Sequence, residues 1–533
     1  MENAHELSGR HLVAGNWVGS DGKSFAAITA KTGEALLPEF RDAGEKEVNT
    51  AFTAAVDAFE KTRETSGEEW AKLLEAIAVG IEGRGEALIA RAGLETALPE
   101  ARLKGELART TGQLRMFAGV AREGSWVNAI LDTAEPDRKP LPRPDIRRMR
   151  RAIGPVVVFG ASNFPFAFGT CGGDTASALA AGNPVIVKGH PGHPGTNELF
   201  AGAVSEALKQ RGLPSGIFSL LQGSGSDIGS LLVRHPKAEA VGFTGSLKGG
   251  RALFDLASAR DRPIPVFAEM GSINPLVVLP GALEERLDAI VDGLAQSVTM
   301  GGGQFCTKPG TVFYLAGETG DRFAQRLTEK LSEAPPATLL NAGIRDKFDQ
   351  AVRSLAAVQE VEERVSGVST GNADRGPSLL LVSSEAWRAN SELREEAFGP
   401  AALLVACRDL DDLQVTLKVA AGQLTGTIHT GATDSADSIR EVAAVLEQKV
   451  GRLIFNGYPT GVEVGHAMMH GGPYPATTAS GTTSVGSAAI ERFARAVAFQ
   501  NVPDALLPPA LQNANPLGLW RKVNGAVSSG PIP

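Results

Sequence analysis

Residues 154–189 read GPVVVFGASNFPFAFGTCGGDTASALAAGNPVIVKG. GPVVVFG (154–160) is an unbroken apolar, β-branched run closed by glycine, the pattern of a strand covered on both faces. DTASALAAG (174–182) has helical spacing, and PVIVKG (184–189) repeats the buried-strand pattern. Strand, helix and strand in this order form the repeating unit of a doubly wound parallel sheet. The alternation continues downstream. GTNELFAGAVSEALKQRG (195–212) predicts a helix with Thr196 as its N-cap, IFSLLQG (217–223) a strand, SDIGSLLVRH (226–235) a helix and AEAVGFTG (238–245) a strand. The fold class is therefore α/β.

A second α/β stretch runs from INPLVVLP (273–280) to about residue 460, with GTVFYLAG, AALLVAC and GRLIFNG as further strands. Ahead of the first unit, residues 12–40 contain short β-type runs and 45–122 repeat apolar residues at helical spacing. Residues 131–150, LDTAEPDRKPLPRPDIRRMR, are rich in proline and charge. They read either as a linker or as an extended excursion that strands elsewhere pair with. The tail from about 475 is rich in Thr, Ser, Gly and Pro.

With 533 residues the chain exceeds the size of one core, so at least two domains are expected. A net charge of −8, with RPDIRRMRR (143–151) as the densest basic stretch, argues against a nucleic-acid partner. Cys171, Cys306 and Cys407 are odd in number and far apart, which suits neither a disulfide framework nor a CxxC metal site and points to a reducing cytoplasm. The N-terminus is charged and lacks an apolar h-region. The most apolar stretch, 153–169, is broken by Gly154, Pro155, Asn163 and Pro165, so no membrane span is expected.

The chemistry centres on GGGQFCTKPG (301–310). Cys306 stands behind three glycines, where the backbone can take special dihedrals and approach a ligand. That is the setting of a presented thiol, although a lone cysteine is more often an inert core residue. FAEMGSINP (267–275) places Glu269 behind apolar residues, either salt-bridged or as a general base with a raised pKa. Open α/β sheets bind ligands at the carboxyl ends of their strands, where Asn163 and Lys188 fall. FTGSLKGG (243–250) puts Gly245 and Ser246 at a helix start, as in a phosphate-binding turn, but departs from GxGxxG. SELREEAFGP (391–400), alone, is a solvated helix end. His466 and His470 have the i, i+4 spacing of a zinc helix, yet HAMMH lacks the glutamate of HExxH. No metal is expected, and roles at a substrate mouth or in structure fit these histidines better.

Taken in order, Asn163, Lys188, the FTGS turn, the Glu269–Met270–Gly271 strand end, the GQxC cysteine and EEAFGP resemble the aldehyde dehydrogenase superfamily, over about residues 12–500. Within it, GASNFPFAFG, KGHPGHPGT and FNGYPTGVEVGHAMMHGGPYPATT (455–478) are most similar to α-ketoglutaric semialdehyde (2,5-dioxovalerate) dehydrogenases. Long-chain aldehyde dehydrogenases share part of the pattern. The resemblance implies two doubly wound domains and a small oligomerisation extension. Residues 1–130 with 151–272 would bind the dinucleotide, 273–474 would be catalytic, and 131–150 with 475–533 would form the extension and tail.

It further implies Cys306 as nucleophile, Asn163 with the Cys306 N–H as oxyanion hole, and Glu269 as base for the hydrolytic water. Glu396 would hold the nicotinamide ribose with Phe398 beside it, Lys188 the adenosine ribose, and Gly245 and Ser246 the pyrophosphate. Arg109 and Arg115, on RTTGQLRMFAG (109–119), would border the substrate tunnel, as cations for a substrate carboxylate or as surface salt bridges. NAD-preferring members carry an acid three residues beyond the lysine; here Pro191 stands there, and Lys188, His190 and His193 offer charge or donors. NADP is thus the expected cofactor, with NAD as the alternative. The expected activity is oxidation of a small aldehyde, α-ketoglutaric semialdehyde, to its acid by a homodimer or homotetramer. The rivals are a medium- or long-chain aldehyde dehydrogenase, a coenzyme A-dependent relative and an inactive binding protein on the same fold.

Overall fold

The computed structural model describes residues 7–367, 369 and 373–532. The first sheet is built from β1 (His11–Val13), β2 (Asn16–Val18), β3 (Val156–Phe159), β4 (Val185–Lys188), β5 (Phe218–Leu221), β6 (Ala240–Thr244) and β7 (Val266–Glu269). Their order across the sheet is β7-β6-β3-β4-β5-β1-β2. β3 to β7 are parallel, and β1 and β2 add an antiparallel edge. From β3 the chain proceeds outward through β4 and β5, then returns to the other side of β3 as β6 and β7. The crevice at that reversal lies beyond Phe159 and Thr244, where open α/β sheets take their ligands.

The strands alternate faces as the pleat requires. Val156, Val158, Val185 and Val187 are buried in one core, with residues of the helices Gly67–Glu82, Glu100–Glu123 and Pro194–Arg211. Val157, Phe159, Ile186 and Val241 are buried in another, with residues of Glu45–Thr62, Asp227–Arg234 and Leu247–Ser258. Two-sided burial explains why these strands read as continuous apolar runs. The helix predicted to be capped by Thr196 starts earlier, at Pro194, with His193 as N-cap. Pro194 presets the first helical dihedral. Thr196 instead lies in the first turn and gives both its N–H (3.0 Å) and its hydroxyl (2.7 Å) to buried Glu95.

The second sheet contains β8 (Leu276–Val278), β9 (Thr311–Leu315), β10 (Glu362–Val365), β11 (Ser378–Ser383), β12 (Ala401–Cys407), β13 (Gln423–His429) and β14 (Val450–Phe455), in the order β10-β11-β12-β9-β8-β13-β14. All its pairings are parallel except β10 with β11. A third, five-stranded sheet joins Ile130–Asp132 and Ile146–Ala152 to the tail strands Ala494–Gln500, Arg521–Val523 and Ala526–Ser528. The proline-rich segment is thus an extended excursion, paired along its whole second strand from Ala152↔Ala494 to Ile146↔Gln500. Among the described residues, no helix is long and apolar enough to cross a membrane.

Candidate active site

The reactive centre lies between the two large sheets, where the chain leaves β7 and enters β8 and β9. Gly301, Gly302 and Gly303 all have left-handed φ values, of 57, 66 and 67°. A side chain at Gly303 would set its Cβ 2.2 Å from the Gly399 carbonyl oxygen. Only glycine tolerates both demands, so the triplet is the device that turns the chain and delivers Cys306. The turn is anchored from behind. Asn274, itself left-handed at φ 45°, donates its amide to the carbonyls of Cys306 (2.7 Å) and Lys308 (2.9 Å). Lys308 Nζ then donates to the carbonyls of Ala397 (3.0 Å) and Ala401 (2.6 Å), tying the cysteine turn to the EEAFGP loop.

Cys306 Sγ lies 3.6 Å from His470 Nε2, and the same nitrogen lies 3.0 Å from Glu269 Oε1. Ser484 Oγ donates to Glu269 Oε2 at 2.6 Å. A carboxylate can only accept, so His470 carries its proton on Nε2 and donates it to Glu269. His470 Nδ1 is then a buried lone pair without a partner. Burial alone would raise the Glu269 pKa, but His470, Ser484 and the Cys306 thiol outweigh it and hold the carboxyl below its usual range. The sequence had offered a raised pKa as one alternative for Glu269; the structure favours the ionised, partnered carboxylate. The Cys306 thiol is pushed well up, by burial first and then by the Glu269 charge, while Arg109 opposes the shift. The resting thiol is protonated, with the Glu269 carboxylate within 4.8 Å.

Glu269, Cys306 and His470 also present three ligand atoms within 4.8 Å of one another. A metal-bound imidazole ordinarily donates from its second nitrogen to an acceptor, and His470 Nδ1 has none. The set therefore fits proton transfer better than a metal. His466 does not join it. It is exposed and hydrogen-bonded to Ser487 (3.0 Å), because the HAMMH segment is not helical and the i, i+4 spacing carries no common face. His470, expected at a substrate mouth or in structure, is fully buried beside the thiol.

Asn163, in the loop after β3, donates Nδ2 to the Gln304 carbonyl at 3.0 Å, which holds its amide beside the cysteine turn and leaves a second N–H. The Cys306 N–H makes no hydrogen bond within the described chain. Together these are two N–H donors left open beside the Cys306 sulfur.

The first sheet's carboxyl edge offers a second set. Lys188, at the end of β4, is buried, and its ammonium makes no hydrogen bond within the described chain. Burial lowers its pKa to about 8, against a pull upward from Asp42. Ser246 caps the helix Leu247–Ser258, accepting from the Gly249 N–H at 3.2 Å, and the Gly245 N–H donates to the Glu269 carbonyl at 3.0 Å. Glu396 lies over Gly271, where a Cβ would come within 2.5 Å of Oε2; its pKa is raised by burial, with Lys308 opposing. Phe398 beside it is half-buried. An ammonium without a protein partner, a helix N-terminus and a recessed carboxylate fit the hydroxyls and phosphates of a dinucleotide. His190 fits only as a neutral group. Burial holds its pKa well below the ordinary value, and its Nδ1 accepts from the Gly192 N–H.

The family description "Aldehyde dehydrogenase family" matches residues 17–496. The chain belongs to the aldehyde dehydrogenase family. It is an oxidoreductase that takes an aldehyde to the acid. It is 48% identical to α-ketoglutaric semialdehyde dehydrogenase 2 of Azospirillum brasilense, over 98% of this chain and 99% of that one. It is 43% identical to α-ketoglutaric semialdehyde dehydrogenase of Acinetobacter baylyi, over 98% and 99%. A variant of betaine aldehyde dehydrogenase from Staphylococcus aureus, solved in complex with NAD+, shares the fold with a TM-score of 0.79 at 19% identity, over 93% and 98% of the two chains.

Within this aldehyde dehydrogenase, the two expected tunnel arginines separate. Arg115 is half-exposed and makes a two-bond ion pair with Glu82, at 2.6 and 2.8 Å, so it belongs to the surface. Both lie on the helix Glu100–Glu123, but their positions differ by six residues, and the helix turns one toward Glu82 and the other inward. Arg109 donates to the Val462 carbonyl, and its charge acts on Cys306. Asn274, Ser484 and Lys308 pack around the cysteine turn and Glu269 and were missed by sequence reasoning. Only Asn274 carried a local signal, the SINP turn ahead of β8.

Proposed function

We propose that this aldehyde dehydrogenase oxidises α-ketoglutaric semialdehyde to 2-oxoglutarate with a nicotinamide dinucleotide, through a thiohemiacetal and a thioester on Cys306. The observation that carries the mechanism is one thiol within 4.8 Å of a Glu269 carboxylate already fixed by His470 and Ser484. The names of the two full-length relatives support the substrate.

Glu269 takes the thiol proton as the sulfur attacks the aldehyde carbon, which makes a nucleophile from a group otherwise held protonated. The developing alkoxide is received by the Asn163 amide and the Cys306 N–H; losing one such donor typically costs about 2.7–4 kcal/mol. When bound, the nicotinamide ring accepts the hydride that leaves this carbon. Glu269, its proton returned to solvent, then accepts one from the water that cleaves the thioester, and the thiol is regenerated. His470 and Ser484 hold the carboxylate in place through both steps. Lys188, Gly245, Ser246, Glu396 and Phe398 would bind the dinucleotide on the first sheet, while the second carries the nucleophile.

Cofactor choice rests on Lys188 and Asp42. The expectation of NADP followed from the lack of an acid after β4. Folding supplies one from elsewhere: Asp42, fixed by the Ser224 N–H (2.6 Å) and hydroxyl (3.1 Å), acts on the Lys188 ammonium. His190 and His193 have lowered pKa values and bring no positive charge at neutral pH. We therefore read the site as accepting both NADP and NAD, with Lys188 favouring a 2′-phosphate and Asp42 opposing it.

The test is the rate of NADPH and NADH appearance with α-ketoglutaric semialdehyde, glutaraldehyde, hexanal and a long-chain aldehyde. The semialdehyde should give the highest kcat/KM. A higher value with hexanal or the long-chain aldehyde would overturn the assignment.

A further inference from the structure

Two cations whose charge acts on Cys306 have no ion-pair partner among the described residues. Arg452 lies on the edge strand β14, and Arg109 on the helix Glu100–Glu123. Both reach the same loop. Arg452 Nη2 donates to the carbonyls of Pro459 (2.8 Å) and Gly461 (3.2 Å), and Arg109 Nη1 donates to the next carbonyl, Val462. In each side chain Nε is buried without a hydrogen-bond partner. Neither forms a salt bridge with a described residue. Burial lowers the pKa of both, and a thiolate at Cys306 would oppose that shift in each. The carboxylates of Glu106 and exposed Glu463 also act on Arg109, but no carboxylate acts on Arg452.

Other arginines around the site are spent. Arg102 is clasped between the rings of Phe164 and Phe305, 4.5 Å from each centroid, and Arg115 is paired with Glu82. A partly desolvated guanidinium without a counter-ion is costly unless its binding partner brings the missing charge. With Nη2 of Arg452 held by two carbonyls, its Nη1, which makes no hydrogen bond within the described chain, is the donor left for a carboxylate oxygen. A thiol with two such cations in its neighbourhood is suited to a substrate whose aldehyde sits at the sulfur and whose anionic end reaches the loop 459–462.

We infer that Arg452, with Arg109, recognises the carboxylate of the substrate and sets the preference for an α-keto acid semialdehyde over an uncharged aldehyde. The inference rests on the substrate reading above, and the experiment separates the two. kcat/KM is measured with α-ketoglutaric semialdehyde and with pentanal, an uncharged aldehyde of the same chain length. The proteins are wild type, Arg452→Met, Arg452→Lys and Arg109→Met. In Arg452→Met the ratio of the two values should fall roughly ten- to hundredfold, mostly through KM for the semialdehyde. Arg452→Lys should restore part of the ratio, and Arg109→Met should lower it less. An unchanged ratio in Arg452→Met, with wild type preferring the semialdehyde, overturns the role of Arg452 and leaves the substrate standing. A wild type that prefers pentanal overturns the substrate instead. Equal loss on both aldehydes, with a shifted pH profile of Cys306 alkylation by iodoacetamide, would assign Arg452 to the thiolate and also overturn the inference. If Arg452→Met does not fold, the ratio in Arg452→Lys decides alone, since replacing the planar guanidinium by a shorter ammonium should still lower it measurably.

Discussion

At Cys306 a proton stands between the resting thiol and its chemistry, because burial and the Glu269 charge both favour S–H over S⁻. Cys306→Ala removes the only sulfur that can form the covalent intermediate. Turnover should fall below detection while dinucleotide binding, measured by fluorescence quenching, stays near wild type. Near-normal turnover in that variant would end the mechanism. Glu269→Gln tests the division of labour. If Glu269 serves both proton steps, the variant should lose the pre-steady-state burst of NAD(P)H as well as steady turnover, each by roughly a hundredfold or more. A full burst followed by arrest would confine Glu269 to the hydrolytic water. These arguments come from one set of contacts, in which a single carboxylate accepts from histidine and serine and touches the thiol.

At the scale of elements, the carboxyl edge of the first sheet links strand ends to cofactor affinity. Lys188 titrates at about 8, where an ordinary lysine lies near 10.5. The unfolded chain therefore holds more protons between these values, so this group's penalty on stability is full below about pH 8 and is relieved as pH rises from there toward 10.5. Dinucleotide binding runs the other way. Oxygen ligands favour the charged ammonium, so affinity for NADP should weaken as pH rises above about 8, and Lys188→Gln should flatten that dependence. Calorimetric titration across this range checks both statements. Asp42→Asn removes the opposing charge; the Kd for NADP should drop roughly tenfold relative to that for NAD. An unchanged ratio would mean that the 2′-position points away from Asp42. These strand ends were legible in advance because two-sided burial leaves unbroken apolar runs. β13 was not, since QLTGTIH carries Gln423, Thr425 and His429 inside a fully buried strand. Its polar groups are placed by partners far along the chain, Gln423 accepting from Ser272 and Ile273, and Thr425 donating to Asn274.

For the whole molecule, the tail completes the third sheet and fills its core. Leu507, Ala510, Leu511 and Leu519 bury Leu131 and Met149. Buried Arg521 donates to the carbonyls of Gln512 and Gly530 (3.1 Å), which folds the tail on itself. Leu506, Leu517, Trp520 and Val527 remain exposed on the same tail. We expect the wild-type chain to run as a homodimer or homotetramer in size-exclusion chromatography with light scattering, these side chains being covered by a second copy. Deleting residues 503–533 should cost at least about 3 kcal/mol of stability by exposing buried leucines, and should reduce the oligomer. A monomeric wild type would remove this reading.

What the sequence alone determined was local: runs that must be buried on both faces, a glycine triplet that only left-handed backbone explains, and ordered motifs carrying Cys306, Glu269 and Asn163. The tertiary structure decided the partners. His470 meets Glu269 across 201 positions, Arg109 meets Val462 across 353, and Asp42 reaches Ser224 across 182. Periodicity and turn chemistry report on neighbours within a few residues. Which histidine touches the thiol, which acid faces the lysine and which arginine stays unpaired are settled only when the two sheets and their loops close on one another.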